Sequence, residues 1–592
     1  MGSETKICQN CKQKFTIEPD DFAFYEKISV PPPTFCPLCR LQRRLSWRNE
    51  RSFYKRMCDL CKKAIIAMYP ADAFFPVYCR ECWYSDNWDP LAHGRDYDFS
   101  KSFLAQFSEL QKAVPRINLQ VSNSVNSDFS NQIANCKNCY LISSGSDNED
   151  CRYCFRVLYS KNLTDCLIVL RCENAYECIE CLGSSRVAFT EDCANSLDML
   201  FSFDVRSSQN CFMSANLRRA SYVFRGECLS KEEYESRRKE IDTGSHKVIE
   251  ELKKEFSRLK NKALHRFANE RNCVNSVGHT MSNAKDCFWC FNVADVENCR
   301  YCLFLNDAKD TMDVNNGCCN MELFYEVCTA GLKSSNAKFC VDAWPEVRNI
   351  EYCDTCRGGS HDLFGCISLR GKEYCILNRQ YPKDEYFRLV DKIKKQMDEM
   401  AYVDKRGITY RYGEFFPSEL SPFPYNDSVA QDLFTLAQEE IVVRGLRYRE
   451  AAEKNYAITQ KSEDLPDHIR SIDASILKET IGCAHESKCN ERCTKAFRIT
   501  AEELGFYQKF NLPLPRLCPN CRHYQRFKKR NPLNLWRRKC QCAGAKSENS
   551  IYKNTATHFH GVGGCPNEFE TSYAPERPEI VYCEQCYNTE VV

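Results

Sequence analysis

The stretch NCKNCYLISSGSDNEDCRYCFRVLYSKNLTDCLIVL (residues 135–170) repeats a cysteine at short, nearly regular intervals. Asp, Asn or Glu commonly precedes the cysteine, and an apolar or aromatic run follows it. A short repeat that keeps polar turn residues and a small apolar residue in phase is typical of a β-solenoid. We therefore predict stacked rungs around an internal cysteine ladder. Each rung is predicted to contain 12 to 15 residues, because the successive spacings are 15, 15, 12 and 15 between Cys136, Cys151, Cys166, Cys178 and Cys193.

This cysteine-rich middle is itself duplicated. CFMSANLRRASYVFRGECLSKEEYE (211–235) aligns with LFGCISLRGKEYCILNRQYPKDEYF (363–387) at a constant offset of 152. Each copy continues into a charged helical pattern, and Ser230 has the position of an N-cap. We predict two solenoid blocks, each closed by a helix that covers unpaired strand edges.

The two ends of the chain carry a second duplication. CPLCRLQRR (36–44) aligns with CPNCRHYQR (518–526) at an offset of 482, and VYCREC (77–82) has a counterpart in VYCEQC (581–586). Each copy holds two modules in which a cysteine hook, a hairpin-sized insert and a second hook follow one another. This spacing is typical of a zinc ribbon, so both ends are predicted to be tandem zinc-ribbon units.

Two hooks supply four thiolates for a tetrahedral zinc ion, so about four structural zinc sites are predicted. Such closed sites stabilise the fold and leave no open position for catalysis. The fourth has a shortened CxC hook, and His558, His560 or Cys565 is an alternative ligand there. Cys483 and His485 are spare candidates beside the third. The four predicted sites are Cys8, Cys11, Cys36 and Cys39; Cys58, Cys61, Cys79 and Cys82; Cys489, Cys493, Cys518 and Cys521; and Cys540, Cys542, Cys583 and Cys586.

The middle of the chain has further CxxC pairs without a second hook at ribbon distance. We favour a reduced structural ladder for them, with additional metal sites and disulfides as the alternatives. These pairs are 136/139, 151/154, 178/181, 287/290, 299/302 and 353/356.

Composition and targeting signals indicate a cytosolic protein. The 592 residues include 42 cysteines, and 82 basic residues balance 80 acidic ones to a net charge of +2. The N-terminal stretch has no apolar signal-peptide core, and no later segment approaches 18 consecutive apolar residues. In a reducing compartment CxxC hooks are metal ligands. No membrane partner is expected.

A basic, aromatic stretch joins the two modules of each ribbon unit. CRLQRRLSWRNERSFYKR (39–56) has seven Lys/Arg, and its C-terminal counterpart has eight. Guanidinium groups clamp phosphates and aromatic rings stack on unpaired bases, so we predict nucleic acid or a ribonucleoprotein as partner, RNA rather than DNA. A solvated face and a protein-docking surface are the alternatives. The candidate contacts are Arg40, Arg44, Arg48, Arg522, Arg526, Lys528, Arg530, Trp536 and Arg537.

The sequence has no P-loop, dinucleotide fingerprint, HExxH or GxSxG motif. We therefore predict a non-enzymatic zinc-binding scaffold whose ribbons present basic-aromatic surfaces to nucleic acid. The first alternative is a protein-interaction scaffold that uses the solenoid face, with zinc serving only the fold. A carbohydrate-active β-helix enzyme is a distant third, because it rests on fold analogy alone.

Three motifs carry a resemblance to a known group. FYxKxxxPxPxxCPxCRxxxR (24–44), LRxKEY (369–374) and CPNEFETSYAPERPEIVYCEQC (565–586) resemble cysteine-rich zinc-ribbon proteins encountered mainly in the genomes of candidate-phyla bacteria. The likeness covers nearly the whole chain. It implies zinc-binding ribbons and brings no established activity.

The predicted fold is mainly β, a duplicated cysteine-rich β-solenoid flanked by two tandem zinc-ribbon units with short capping helices. The predicted segments are 1–95, first ribbon unit with two zinc sites; 96–117, amphipathic connector helix; 118–228, solenoid block 1; 229–268, capping helices; 269–381, solenoid block 2; 382–402, capping helix; 403–482, linker with helices; and 483–592, second ribbon unit.

Overall fold

The computed structural model describes residues 2–450 and 456–592. It is mainly β, with 34% of residues in strands and 23% in helices. Contacts divide it into two compact units. Unit 1 combines the chain up to Gln120 with Ala268–Glu450, and unit 2 combines Val121–Phe267 with residues 456–592. Each unit thus contains one cysteine-rich middle segment and one of the two chain ends.

The middle segment of unit 2, here called parallel block A (121–228), is built from short parallel strands in strict register. Phe155 pairs with Leu167, and Leu167 pairs with Ile179, so each partner lies twelve positions further along the chain. The strands are Val121–Ser122, Asn131–Ala134, Ser143–Ser146, Phe155–Leu158, Lys161–Thr164, Leu167–Leu170, Glu173–Tyr176, Ile179–Leu182, Ser185–Ala188, Leu197–Arg206, Gln209–Arg218, Ser221–Phe224 and Glu227–Cys228.

Within each turn of block A the backbone has a period of three. Every third residue from Asn123 to Arg225 is left-handed, with φ between 44° and 58°. Every third residue from Ile133 to Ser214 is buried. A CxxC pair in this block is therefore two successive inward positions, and Cys136, Cys139 and their counterparts form much of the core. All 42 cysteines lie in the described residues, and none forms a disulfide.

The period of three explains the acidic or amide residue before many cysteines. Asn135, Asp150 and Asp165 occupy left-handed positions, each directly before an inward cysteine. Asn and Asp tolerate this conformation better than other residues with a side chain, because their short polar groups hydrogen-bond locally. The residue type is thus set by the backbone.

The middle segment of unit 1, here called parallel block B (270–380), repeats this construction. Its parallel strands pair at offsets of eleven to thirteen positions, as in Glu270 with Met281, Cys299 with Thr311 and Met321 with Ser334. Its core again contains many cysteines. The strands are Glu270–Arg271, Val277–Lys285, Phe288–Arg300, Leu303–Gly331, Ser334–Ala343, Arg348–Glu351, His361–Phe364, Glu373–Ile376 and Arg379–Gln380.

Both blocks end in an antiparallel hairpin followed by a helix. In block A, Val223 pairs with Cys228, and helix Lys231–Lys239 begins at a capping box formed by Ser230 and Glu233. Tyr234 of this helix packs edge-on against Tyr222, with ring centroids 5.9 Å apart. Helix Lys383–Glu399 follows the corresponding hairpin of block B. The helices therefore cover the last strands.

The chain ends form short hairpins and helices that repeat at the sequence offset. Helices Pro19–Lys27 and Pro37–Leu45 correspond to Ala501–Lys509 and Pro519–Phe527. The hairpin strands, and the pairs that join each end to neighbouring segments, are Glu4–Ile7 with Lys14–Ile17, Tyr54–Met57 with Ala64–Ala67, Val77–Tyr78 with Arg116–Ile117, Ile481–Gly482 with Ala496–Phe497, Trp536–Lys539 with Glu568–Thr571, and Leu264–Arg266 with Ile580–Tyr582.

The connector after the first ribbon unit is a shorter helix than the sequence pattern predicts. Helix Phe103–Ala113 buries Phe103 and Phe107, whereas Phe99 lies outside the helix and is 43% exposed. Phe103 contacts Tyr352 of block B at a centroid distance of 5.2 Å. The other elements are strands Tyr402–Val403 and Thr409–Tyr410, α-helices Arg80–Tyr84, His246–Lys262, Val429–Leu433, Gln438–Val443 and Glu584–Val591, and 3₁₀ helices Pro90–His93, Ser418–Leu420, Tyr425–Asp427, Ile469–Ser471 and Ala474–Lys478.

Candidate metal centres

Several groups of four cysteines are arranged so that they can hold metal ions. The first two contain the residues that the sequence predicts, Cys8, Cys11, Cys36 and Cys39, and Cys58, Cys61, Cys79 and Cys82. Within each group all sulfur atoms lie within 4.8 Å of one another. The Cys11–Cys36 sulfur distance is 3.7 Å and the Cys61–Cys79 distance is 3.9 Å. Four Zn–S bonds of about 2.3 Å in a tetrahedron place sulfurs about 3.8 Å apart, so the donor set fits zinc.

The third group contains Cys483, Cys493, Cys518 and Cys521. The Cys518 backbone N–H donates to the Cys483 sulfur at 3.3 Å, as the Cys36 N–H does to Cys8 in the first group. Cys483, a spare candidate in the sequence, thus has the structural position of Cys8. The predicted ligand Cys489 also lies in the cluster, 3.7 Å from Cys521. Five thiols therefore surround this centre.

The fourth group contains Cys540, Cys565, Cys583 and Cys586. Cys565, an alternative ligand in the sequence prediction, occupies the place predicted for Cys542. Cys542 lies beside this group, with His558 and His560. The segment between Cys542 and His558 folds back on itself, as in the Ser547 N–H bond to the Tyr552 carbonyl at 2.8 Å. Sequence spacing could not separate these two sets of ligands, because His558, His560 and Cys565 all lie in the same long insert after Cys542.

The second hook of every group stands at the start of a helix. Unpaired backbone N–H groups and the helix dipole favour a thiolate at this position. The residues directly preceding the first helical residue are Cys36, Cys79, Cys518 and Cys583.

One thiol in each group has a lowered pKa, whereas burial and neighbouring thiols raise the pKa of others in the same group. A side-chain hydrogen bond with Cys36 holds the pKa of Cys8 far below its usual range. A hydrogen bond with Cys540 lowers the pKa of Cys583 to about 4. Burial opposes ionisation of Cys58, but backbone N–H donors outweigh it and lower its pKa to about 7. Metal ligands must be deprotonated, so metal binding at each group would release the protons of its remaining thiols.

The predicted basic surface of the first ribbon unit is buried. Arg40, Arg44 and Arg48 are 1%, 0% and 4% exposed. Arg40 Nε donates to Asp313 at 2.7 Å, and Arg44 Nη1 contacts Asp313 at 3.0 Å and Glu326 at 2.8 Å. The Arg40 and Arg44 guanidinium groups therefore contact carboxylates of block B, and none of the three arginines forms the exposed surface that the sequence predicts.

Arg40 also contacts an aromatic ring, Tyr301, whose hydroxyl binds a second acidic residue, Asp21. The Arg40 guanidinium lies 5.3 Å from the ring centre of Tyr301. The Tyr301 hydroxyl donates to Asp21 at 3.1 Å. Burial raises the pKa of Asp313 to about 6 although Arg40 and Arg44 favour its ionised form. The contact is thus a desolvated charge network.

The C-terminal end of the chain repeats this network in unit 2. Arg522 Nε lies 3.3 Å and Arg526 Nη1 lies 2.8 Å from Asp165. Arg522 lies 4.7 Å from the ring centre of Tyr153, whose hydroxyl donates to Glu503 at 2.8 Å. Each residue of this network corresponds to one in unit 1, at an offset of 482 in the chain ends and of 148 in the parallel blocks.

The remaining predicted nucleic-acid contacts differ in exposure. Arg530 is 5% exposed at its side chain and pairs with Glu180 at 3.1 Å. Lys528 and Arg537 have side chains 66% and 77% exposed, and they pair with acidic neighbours. Trp536 is half-buried in strand Trp536–Lys539. The prediction of exposure therefore holds for Lys528 and Arg537 alone among the basic candidates.

Comparison of the sequence with protein-family models and with curated proteins finds no match. Among the described residues, no helix has the length and apolar character needed to cross a lipid bilayer.

Proposed function

We propose that this protein is a non-catalytic scaffold in which zinc-held ribbons are fastened to the sides of two cysteine-lined β-solenoids. The observation that carries the proposal is the duplicated buried network, in which Arg40 and Arg44 contact Asp313, and Arg522 and Arg526 contact Asp165. Two copies of the same desolvated contact have a structural role, because a phosphate cannot reach side chains this deeply buried.

The register of the blocks supports the solenoid assignment. Parallel partners twelve or thirteen positions apart bring successive turns into contact, and inward cysteines fill an interior that a larger residue would overpack. The metal groups support the ribbon assignment. Sulfur-rich tetrahedral donor sets favour Zn²⁺ over the oxygen-seeking Mg²⁺ and Ca²⁺. Closed sites of four protein ligands hold metal for folding rather than for reaction.

A ladder of alternating lysine and glutamate side chains on the exposed side of both blocks favours a protein partner. Lys137 and Lys161 flank Glu149 at 3.3 and 2.8 Å in block A. Lys285 and Lys309 flank Glu297 in the same way in block B, at 3.1 and 3.7 Å. These ladders alternate in charge and so produce little of the positive potential that attracts phosphates. They support a protein rather than a nucleic acid as the partner of the solenoid faces.

Metal content and metal removal test the structural part of the proposal. The full chain, purified without added metal, is expected to carry at least four zinc ions by native mass spectrometry. A strong chelator is expected to abolish the protection of backbone amides around Cys8 and Cys58 in hydrogen exchange, because folding and metal binding are coupled there. A chain that contains no zinc, or one whose protection survives metal removal, contradicts the proposal.

Nucleic-acid binding is the second candidate, restricted to Lys528 and Arg537, whose side chains are exposed. Fluorescence anisotropy with single-stranded RNA and DNA across a salt series tests it. Binding that weakens with salt, with a log–log slope reduced by about 1 for each alanine substitution, supports it. Absence of binding at low salt excludes it and leaves the protein-partner scaffold.

A further inference from the structure

The last module of the chain gathers more metal-binding side chains than one ion can use. Cys540, Cys565, Cys583 and Cys586 form one group, and Cys542, His558, His560 and Cys586 form another. All donor atoms of each group lie within 4.8 Å of one another, and the Cys586 sulfur belongs to both. We propose that this module binds two zinc ions bridged by the Cys586 thiolate, the first in an all-sulfur site and the second in a mixed sulfur and nitrogen site.

The number of donors matches two bridged tetrahedra. Two four-coordinate ions that share one ligand need seven side chains, and the two groups together contain seven. A single ion bound to four thiolates would leave Cys542 and both histidines around a buried space without a cation. Two divalent ions bring four positive charges to five thiolates, which leaves little uncompensated charge in a buried site.

The distances agree with tetrahedral coordination. The Cys565 and Cys583 sulfurs are 3.8 Å apart, as in the other sulfur groups. With Zn–S of about 2.3 Å and Zn–N of about 2.0 Å, a sulfur and a nitrogen on one tetrahedral ion are about 3.5 Å apart. His558 Nδ1 lies 3.6 Å from the Cys542 sulfur, and His560 Nε2 lies 3.3 Å from the Cys586 sulfur.

The second nitrogen of each histidine is held as in known metal sites. His558 Nε2 contacts the Glu590 carboxylate at 2.8 Å, and both side chains are fully buried. Glu590 also accepts from the Thr555 and Ala556 backbone N–H groups, which fixes its position. His560 Nδ1 lies 2.8 Å from the Gly563 carbonyl oxygen. Such partners orient metal-ligating imidazoles and set which nitrogen faces the ion.

Comparison with the first ribbon unit shows where the extra ligands arise. The Cys58 N–H donates to the Lys63 carbonyl at 2.8 Å, and the Cys540 N–H donates to the Asn567 carbonyl at 2.9 Å. Lys63 follows Cys61 by two positions, and Asn567 follows Cys565 by two. Cys565 is therefore the counterpart of Cys61, and the insert that separates it from Cys540 supplies Cys542, His558 and His560.

This inference rests on the proposed zinc-held ribbons, and its failure can be distinguished from theirs. Native mass spectrometry of the full chain is expected to find five zinc ions. Cys542→Ser and His560→Ala are each expected to lose one ion, and Cys586→Ser two. Cys228→Ser is the matched control, because Cys228 is exposed and lies in none of the groups described above. A count of four that Cys542→Ser leaves unchanged overturns the bridged pair and leaves the ribbons standing, whereas a metal-free chain overturns both.

Glu590→Gln tests the same inference without removing a ligand. It leaves the donor set intact and weakens the support of His558, so chelator competition is expected to extract one of the five ions at about a 10- to 100-fold lower chelator concentration. The other four are expected to keep their affinity. Unchanged extraction of all ions in Glu590→Gln contradicts the second site, even if Cys586→Ser fails to fold.

Discussion

Replacing Arg44 with methionine removes a charge from the centre of the buried network in unit 1. The Arg44 side chain and its partners Asp313 and Glu326 are all 0% exposed. Methionine keeps much of the arginine stem but leaves both carboxylates with one guanidinium partner each. Removing one partner of a buried ion pair costs about 3–5 kcal/mol. Because Arg40 and Arg43 still contact the two acids, we expect a loss near the lower end, about 3 kcal/mol.

The free energy is best measured locally, since two compact units need not unfold in one step. Hydrogen exchange read by mass spectrometry reports the opening of helix Pro37–Leu45 and strand Leu303–Gly331 separately. Lys27→Ala is the matched control. Lys27 pairs with Asp310 of the same block at 2.8 Å but is 49% exposed at its side chain, so its loss is expected to cost less than about 1 kcal/mol.

A second substitution separates the charge network from simple packing. Glu326→Gln in the Arg44→Met background removes one of the two acids that lost a partner, so it is expected to recover part of the stability. The metal count is expected to stay unchanged, because no cysteine ligand is altered. If Arg44→Met destabilises no more than Lys27→Ala, or weakens RNA binding while leaving amide protection intact, the structural role of the arginine is refuted.

Two further changes test the blocks and the pH dependence. The backbone of Asn162 is left-handed, with φ of 55°, so Asn162→Val is expected to lower the free energy of unfolding by about 1–2 kcal/mol and Asn162→Gly by much less. Equal losses of the two variants in denaturant unfolding would contradict the period of three. Burial lowers the pKa of His265 from 6.5 to about 4. The unfolded chain therefore binds the proton first, and stability is expected to fall by up to about 3 kcal/mol as the pH drops from 6.5 to 4. His265→Gln is expected to flatten this slope, and an unchanged slope contradicts it.

The local features of this fold could be predicted from the sequence because they depend on nearby residues. The cysteine hooks around Cys8 and Cys58 predict two metal groups, and the structure brings the cysteines of each together. The offset of 482 predicts that the two chain ends repeat, and helices Pro37–Leu45 and Pro519–Phe527 do so. The cysteine rhythm predicts stacked turns. The commonest spacing between cysteines is, however, fifteen positions, which is one turn of twelve plus one step of three. The cysteine spacing therefore does not give the twelve-residue period of the turns directly.

The environment of the arginines could not be predicted, because it depends on contacts between distant segments. Asp313 lies 269 residues from Arg44 in sequence, and nothing near Arg44 indicates a buried acid. A basic, aromatic stretch has the same composition whether it contacts phosphates or carboxylates. A usable signal was the pairing of two duplications, since Tyr153 and Asp165 recur as Tyr301 and Asp313 at an offset of 148, just as Arg44 recurs as Arg526 at an offset of 482.

X-ray absorption at the zinc edge tests the central claim most directly, because it reports the atoms bound to the metal. The four sulfur groups and the mixed group together predict a first shell dominated by sulfur, with Zn–S distances of about 2.3 Å and a small nitrogen contribution at about 2.0 Å. A first shell dominated by oxygen or nitrogen would mean that zinc binds elsewhere on the protein, and would contradict a scaffold built on cysteine-held ribbons.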